Sequence, residues 1–260
     1  MSLRTTLFVL VGLLACTPTA ASTPHEPAPA SEPAPASEPA PASEPAPKLV
    51  SVRPGINDHY YGDKGLARAI DQLETERREV KILRDPIVAA LDLHEGMAVA
   101  DLGAGTGLFL VPISRALGPT GKLYAIDIVP SFLAHLRERV ASEALTNVEI
   151  VEATPTDPSL APASVDLIFA CDVYHHIEYP GEVLPRLRAA LRPGGKLVLV
   201  DFHRIPGQTS KGMIKHVRAD QATFTREIEA AGFVFERELG EAEGLEFDEN
   251  YMLVFDRGAP

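Results

Sequence analysis

A glycine-rich turn between an apolar strand and a helix is the feature that most constrains the fold of this chain. The segment reads Val-Ala-Asp-Leu-Gly-Ala-Gly-Thr-Gly-Leu-Phe from Val99, and its glycines are Gly103, Gly105 and Gly107. Glycine lets a backbone turn tightly and lets a ligand approach the main chain closely. A dinucleotide fingerprint would need glycine in place of Leu108, and a P-loop would need Lys followed by Ser or Thr. The turn is therefore expected to bind another kind of ligand.

Strand-like and helix-like segments alternate along residues 48–260. The predicted strands are Ala98–Leu102, Leu123–Ile128, Val148–Val151, Val165–Ala170, Lys196–Asp201, Phe233–Leu239 and Tyr251–Asp256. The predicted helices are Leu66–Val80, Pro86–Leu91, Gly107–Leu117, Pro130–Ala144, Pro180–Leu191 and Ala219–Ala231. This alternation predicts an α/β fold with a doubly wound, mostly parallel, seven-stranded Rossmann-like sheet. The last two strands are joined by a short acidic loop, which predicts an antiparallel C-terminal hairpin.

The N-terminal residues have the composition of a leader and a tether. Residues 1–15 carry one basic residue and then a short apolar run, which is typical of a secretory signal peptide. The run ends in Leu-Leu-Ala-Cys at Cys16, which resembles a bacterial lipobox and implies cleavage before Cys16 and lipidation of its thiol. An ordinary signal peptide with an incidental cysteine is the alternative. Residues 16–47 contain Glu-Pro-Ala-Pro-Ala-Ser repeats, which predict an extended, semi-rigid polyproline II spacer.

Composition excludes several classes of protein. The net charge of −12 argues against nucleic-acid binding through phosphate neutralisation. Two cysteines exclude a disulfide framework and a four-cysteine zinc site. Residues 48–260 are therefore expected to form one globular domain, in which residues 48–92 make a helical lid before the first strand.

The motifs of this domain resemble those of class I S-adenosylmethionine (SAM)-dependent methyltransferases. Asp101 and the three glycines form the Asp-x-Gly-x-Gly-x-Gly pattern of their motif I, and Asp127 ends the second strand 24 residues after Gly103. Asp166–Asp172 resembles motif IV, and Leu-Arg-Pro-Gly-Gly-Lys at 191–196 resembles the turn before strand 5. The resemblance covers most of residues 53–257. It is nearest to the branch that includes ubiquinone and menaquinone C-methyltransferases.

The resemblance implies SAM as the cofactor and a set of residues that bind it. A carboxylate at the tip of strand 2 can accept hydrogen bonds from both ribose hydroxyls, and the residues after strand 3 occupy the place where the family contacts adenine. The predicted cofactor-binding residues are Asp101, Gly103, Ala104, Gly105, Gly107, Asp127, Ile128, Glu152, Ala153 and Asp172.

A second group of polar residues follows strands 4 and 5, whose carboxyl ends border the same crevice. The predicted catalytic residues are His203, His175, His176, Asp172 and Tyr174. The favoured interpretation is a histidine general base that an aspartate orients. A metal site made by Asp172, one of the paired histidines and His203 is an alternative. Because adjacent histidines usually point in different directions, no metal is assigned.

The function predicted is methyl transfer from SAM to a small-molecule or lipid-like acceptor, by a domain tethered to the bacterial cell envelope through a lipidated Cys16. SAM is made in the cytoplasm, so export and catalysis are in conflict, and an unused signal would leave the protein cytoplasmic. The alternative is a non-catalytic envelope lipoprotein that binds a nucleoside-like ligand on the same fold. The oligomeric state is left open.

Overall fold

Within the residues that the computed structural model describes, 49–62 and 64–259, seven strands form a single mixed sheet. The strands are β1 (Ala98–Leu102), β2 (Lys122–Asp127), β3 (Val148–Glu152), β4 (Val165–Cys171), β5 (Leu191–Phe202), β6 (Val234–Leu239) and β7 (Asn250–Asp256). Their order across the sheet is β3-β2-β1-β4-β5-β7-β6. The first five are parallel to one another, and β7 is antiparallel to both β5 and β6. The predicted fold class and the C-terminal hairpin are confirmed. The predicted signal peptide, the lipidation site and the repeats lie outside the described residues.

Helices cover both faces of this sheet. They are α1 (Gly65–Leu73), α2 (Glu79–Ile82), α3 (Arg84–Ala90), α4 (Leu110–Leu117), α5 (Pro130–Ser142), α6 (Pro180–Ala190), α7 (Lys211–His216) and α8 (Gln221–Ala230). None of the helices in the described part of the chain is long and apolar enough to cross a membrane. The core lies in two apolar layers, one on each face of the sheet. Every residue of β1 is buried, as expected for a central parallel strand.

The single helix predicted over Leu66–Val80 is wrong, because the chain breaks between α1 and α2. At the break, Arg78 donates a hydrogen bond to the backbone carbonyl of Leu73, and Lys81 donates one to that of Glu74. The two side chains donate to carbonyls at the end of α1 to which backbone N–H groups would donate if the helix continued. Helix α7 is also absent from the prediction, because its short sequence lacks a clear apolar stripe.

The segment before β1 is fixed to the sheet by polar contacts, some of them partly buried. The Glu79 carboxylate accepts hydrogen bonds from the backbone N–H groups of residues 248–250, with distances from 2.5 to 3.2 Å. Arg78 forms a salt bridge with Asp172 at 2.8 Å, with side-chain exposures of 17% and 3%. Near the start of the segment, Ser51 donates a hydrogen bond to Glu178 at 2.7 Å. The N-terminal segment is therefore held over the carboxyl edge of the sheet.

Candidate functional site

A cleft opens at the carboxyl ends of β1, β2 and β4, next to the point between β1 and β4 where the strand order reverses. It holds about 1110 Å³ of empty space, part of which is open to solvent. The residues predicted for cofactor or substrate that line it are Asp101, Gly103, Ala104, Gly105, Asp127, Ile128, Ala153, Asp172 and His176. Ligands of open α/β sheets bind in such a crevice. The structure thus brings most of the predicted cofactor-binding residues to one place.

The glycine turn has a backbone conformation that residues with a side chain rarely adopt. Gly103, Gly105 and Gly107 have φ angles of +68°, +55° and +85°. A Cβ atom on Gly103 would lie 2.2 Å from Cγ2 of Val173, so this position has no room for a side chain. The turn therefore exposes main-chain atoms of residues 103–105 to the cleft.

Asp127 is held rigidly at the tip of β2. Its Oδ2 accepts a hydrogen bond from Gly105 N–H and its Oδ1 accepts one from Val129 N–H, both at 2.9 Å. Burial raises the pKa of Asp127, while these backbone hydrogen bonds oppose the rise. A carboxylate oxygen accepts more than one hydrogen bond, so both oxygens keep capacity for the hydroxyls of a ligand.

Asp101 gives the floor of the cleft a second buried carboxyl group. Its pKa is raised to about 7, because burial removes water from the carboxylate and because Asp127 carries a nearby negative charge. A cationic ligand would favour the ionised form. The cleft therefore suits a ligand that is positively charged at one end and carries hydroxyl groups at the other.

This carboxyl group predicts a pH dependence of cofactor binding. Below pH 7 a cationic ligand must displace a proton from Asp101, so SAM affinity should be roughly eightfold lower at pH 6 than at pH 7.5. The ligand's own amino group also titrates near neutral pH, so Asp101→Asn is the reference in calorimetric titrations. The Asn variant should bind SAM more weakly than the wild type, and its SAM affinity should change less with pH. Equal pH profiles for both proteins would contradict the assignment.

Asp172 lines the cleft but is neutralised by the protein itself. It forms the salt bridge with Arg78, and Asn250 Nδ2 donates to its Oδ1 at 2.6 Å. Burial raises the pKa of Asp172, and Arg78 opposes that rise. Its φ of +51° is rare for a residue other than glycine. Asp172 therefore connects the N-terminal segment, β4 and β7 at the rim of the cleft.

The paired histidines lie together on a 3-10 turn, Tyr174–His176, directly after β4. His175 Nδ1 is 2.7 Å from Asp201 Oδ1, and His176 Nδ1 is 3.1 Å from Asn57 Oδ1. The pKa of His176 is lowered strongly by burial and by the neighbouring histidines. His176 is thus neutral at pH 7 and a weak base, which disfavours it as the general base. The predicted arrangement of a histidine with an orienting aspartate is present at His175 and Asp201.

Besides His175, four predicted site residues in the described part of the chain do not line the cleft. Tyr174 is buried on the other side of its turn, where its hydroxyl donates to Glu227 at 3.0 Å and its ring packs on Phe224. His203 follows the end of β5 and turns toward β7, with its ring centroid 5.3 Å from that of Tyr251. Tyr174 and His203 therefore do not converge with the paired histidines. Tyr174 packs in an apolar layer, and His203 packs against β7.

The remaining two are Gly107 and Glu152. Gly107 shapes the turn, since its N–H donates to the carbonyl of Ala104. Glu152 is exposed at the end of β3, whereas the following Ala153 lines the cleft.

Sequence reasoning missed several residues that complete the site. Arg78 reaches Asp172 from the N-terminal segment, and Asn57 holds His176 through both atoms of its amide. His216, at the end of α7, lies with its ring centroid 5.0 Å from those of both His175 and His176. The tyrosine pair that the sequence places in the expected lid is not among the missed residues: Tyr60 lines the cleft and packs on Phe132, whereas Tyr61 is exposed. A single asparagine, arginine or histidine outside a motif carries no spacing signal that would have indicated these contacts.

The central part of the chain matches a known family model. The model describes a methyltransferase domain and matches residues 100–197, which run from β1 through the glycine turn to β5. Residues 100–197 are thus similar to methyltransferase domains. The match supports the class of domain predicted from the glycine turn and Asp127, and with it SAM as the cofactor.

Two relatives in sequence match half of this chain or less. An uncharacterised 37.1 kDa protein in a transposon of Streptomyces fradiae is 31% identical over 130 residues, which are 50% of this chain and 37% of that protein. The ubiquinone/menaquinone biosynthesis C-methyltransferase UbiE of Hahella chejuensis is 28% identical over 113 residues, 43% of this chain and 45% of the relative. The chain thus spans less than half of the length of either relative.

Solved structures share the fold of the methyltransferase domain over a longer range. A SAM-dependent methyltransferase from Aquifex aeolicus has a TM-score of 0.63 at 24% identity, over 75% of this chain and 99% of that one. Phosphoethanolamine N-methyltransferase 2 of Haemonchus contortus, in complex with S-adenosyl-L-methionine, has a TM-score of 0.60 at 17% identity, over 80% of this chain and 60% of that one. These likenesses support the Rossmann-like methyltransferase fold.

Proposed function

We propose that this protein transfers a methyl group from SAM to a small-molecule or lipid-like acceptor. The observation that carries the proposal is the cleft itself, in which a glycine turn lies between the buried carboxyl groups of Asp101 and Asp127. SAM has a positive charge and two ribose hydroxyls, and the carboxylates of the cleft can attract the charge and accept hydrogen bonds from the hydroxyls. Names of relatives, including quinone C-methyltransferases, agree with this class of acceptor.

Each part of the cofactor has a matching set of residues in this chain. Asp127 would accept the ribose hydroxyls, Asp101 and the main chain of residues 103–105 would bind the charged methionine part, and Ile128 and Ala153 would cover the adenine. When bound, SAM supplies an electrophilic methyl group on a good leaving group. The protein must therefore mainly position the acceptor and exclude water.

The walls on the acceptor side favour an apolar molecule. Leu73, Tyr60 and Phe132 line the cleft, together with Val173 and Ile177. Tyr60 belongs to the N-terminal segment, and burial raises the pKa of its hydroxyl, so it stays protonated and can donate a hydrogen bond. The N-terminal segment thus closes one side of the cleft, as the predicted lid would.

Methyl transfer is tested with SAM that carries an isotopically labelled methyl group. The full-length protein is incubated with fractionated bacterial small-molecule and lipid extracts, and Asp127→Ala serves as the inactive control. Label should enter one class of acceptor in the wild-type reaction and not in the control. Tight SAM binding without any labelled product would favour the non-catalytic nucleoside-binding protein instead.

We also propose that the protein is anchored to the cell envelope through a lipidated Cys16, followed by the repeat segment as a spacer. Cys16→Ser removes the thiol that would carry the acyl chains, so the wild-type protein should fractionate with membranes and incorporate labelled fatty acid, whereas the variant should do neither. Ser2→Ala, outside the lipobox, is the control. Equal membrane association of the Cys16 variant would contradict lipid anchoring.

A further inference from the structure

Three histidines from two distant parts of the chain converge beside the cleft. His175 and His176 come from the turn after β4, and His216 comes from the C-terminal end of α7. Each offers a ring nitrogen, and the three nitrogens lie within 4.8 Å of one another. His175 and His176 are buried and His216 is partly buried. No step of the proposed methyl transfer requires such a cluster.

The spacing of the rings matches that of ligands around one metal ion. The ring centroids are 4.3 Å apart for His175 and His176, and 5.0 Å apart for each of the other two pairs. With metal–nitrogen bonds of about 2.0–2.1 Å, three imidazoles in a tetrahedral arrangement have ring centroids about 5 Å apart. His59 lies farther away, with centroids 6.2 Å from His176 and 6.4 Å from His216.

Hydrogen bonds on the far side of two rings fix their orientation and tautomer. His175 Nδ1–H donates to Asp201, whose other oxygen accepts the backbone N–H of His175. The Asn57 amide donates from Nδ2 to the backbone carbonyl of His176, so its Oδ1 must face Nδ1 of that ring and accept a proton from it. Because Nδ1 of each ring makes these hydrogen bonds, Nε2 is the nitrogen that each ring has left for a cation. Metal-binding histidines characteristically have such carboxylate or amide partners.

We propose that His175, His176 and His216 bind a divalent transition-metal ion, with Zn²⁺ as the best match to three neutral imidazole nitrogens. Three histidines leave one position of a tetrahedral zinc ion open for another ligand. Imidazole nitrogens suit zinc and related ions, whereas Mg²⁺ and Ca²⁺ prefer oxygen ligands. Ring packing alone would not require an aspartate and an asparagine to orient the two buried rings.

The position of the cluster suggests what the open position would bind. His176 also lines the cofactor cleft, so an ion bound to it would lie in the wall of that cleft. An acceptor with an oxygen, nitrogen or sulfur lone pair could bind there and be held for reaction. This role rests on the proposed methyl transfer, whereas the metal site itself does not.

Metal binding is measured on the full-length protein after treatment with a chelator. Co²⁺ is the spectroscopic probe, and Zn²⁺ is titrated in competition with it. We expect one equivalent of Co²⁺ to give the strong visible absorption of a four- or five-coordinate ion and to be displaced by Zn²⁺. His216→Asn should weaken Zn²⁺ binding by more than about 100-fold, and Asp201→Asn by about 10- to 100-fold.

Two comparisons separate a lost metal site from a lost fold. His94→Asn changes an exposed histidine outside the cluster and should bind Zn²⁺ like the wild type. His216 does not line the cleft, so His216→Asn should keep its SAM affinity. A wild-type protein that binds no stoichiometric metal, or a His216 variant that binds it equally well, would overturn the site. Metal binding without methyl transfer to any acceptor would instead refute the proposed function alone.

Discussion

Replacing Asp127 with alanine is expected to weaken SAM binding by at least about 100-fold. Hydrogen bonds to a charged group contribute about 1.5–3 kcal/mol each, and the carboxylate would accept two from the ribose. The substitution also removes the acceptor for the N–H groups of Gly105 and Val129, so the glycine turn loses the contact that holds it in place. Calorimetric titration with SAM and with S-adenosylhomocysteine measures both affinities.

The neighbouring strand offers a matched control. Glu152 pairs with Asp127 across β2 and β3 and is also a carboxylate at the end of a strand, but it is exposed and lies outside the cleft. Glu152→Ala should bind SAM within about twofold of the wild type. The site assignment would be wrong if the Glu152 variant lost affinity while the Asp127 variant kept it.

The substitution Gly103→Ala is expected to destabilise the fold by about 2–5 kcal/mol. A left-handed backbone costs a residue with a Cβ atom about 1–2 kcal/mol, and forcing a methyl group into a packed region costs about 1–3 kcal/mol more. Here the φ is +68° and the new Cβ would lie 2.2 Å from Val173 Cγ2. Denaturant unfolding of both proteins, with the slope checked for two-state behaviour, gives the difference in free energy.

Two further variants identify the cause of that loss. Gly181→Ala places a methyl group on α6, where nothing lies within 4 Å of the added Cβ, so it should be neutral or slightly stabilising. Val173→Ala removes the nearest methyl groups, so the double variant Gly103→Ala, Val173→Ala should be more stable than the sum of the two single losses implies. Strict additivity would show that the contact with Val173 is not the cause.

Local patterns account for most of the fold and for the cofactor side of the cleft. The strands can be read from short apolar runs, because a central parallel strand is buried on both faces and must be apolar throughout. The glycine turn can be read in the same way, because its positive φ angles are costly for other residues. Asp127 is found from its place at the end of a strand. In these cases the physical requirement acts on neighbouring residues in the chain.

The acceptor side of the cleft depends on contacts between residues that are far apart in sequence. Tyr174 and His203 stand in the expected segments, yet packing against Phe224 and Tyr251 directs them elsewhere. Asn57 and His216 reach His176 only because the N-terminal segment and α7 fold over the same edge of the sheet. The sequence of this protein by itself determined where the strands end and which turn faces a ligand. Only the tertiary structure decided which side chains meet there, because burial, hydrogen bonding and steric fit between distant segments select the direction of each side chain.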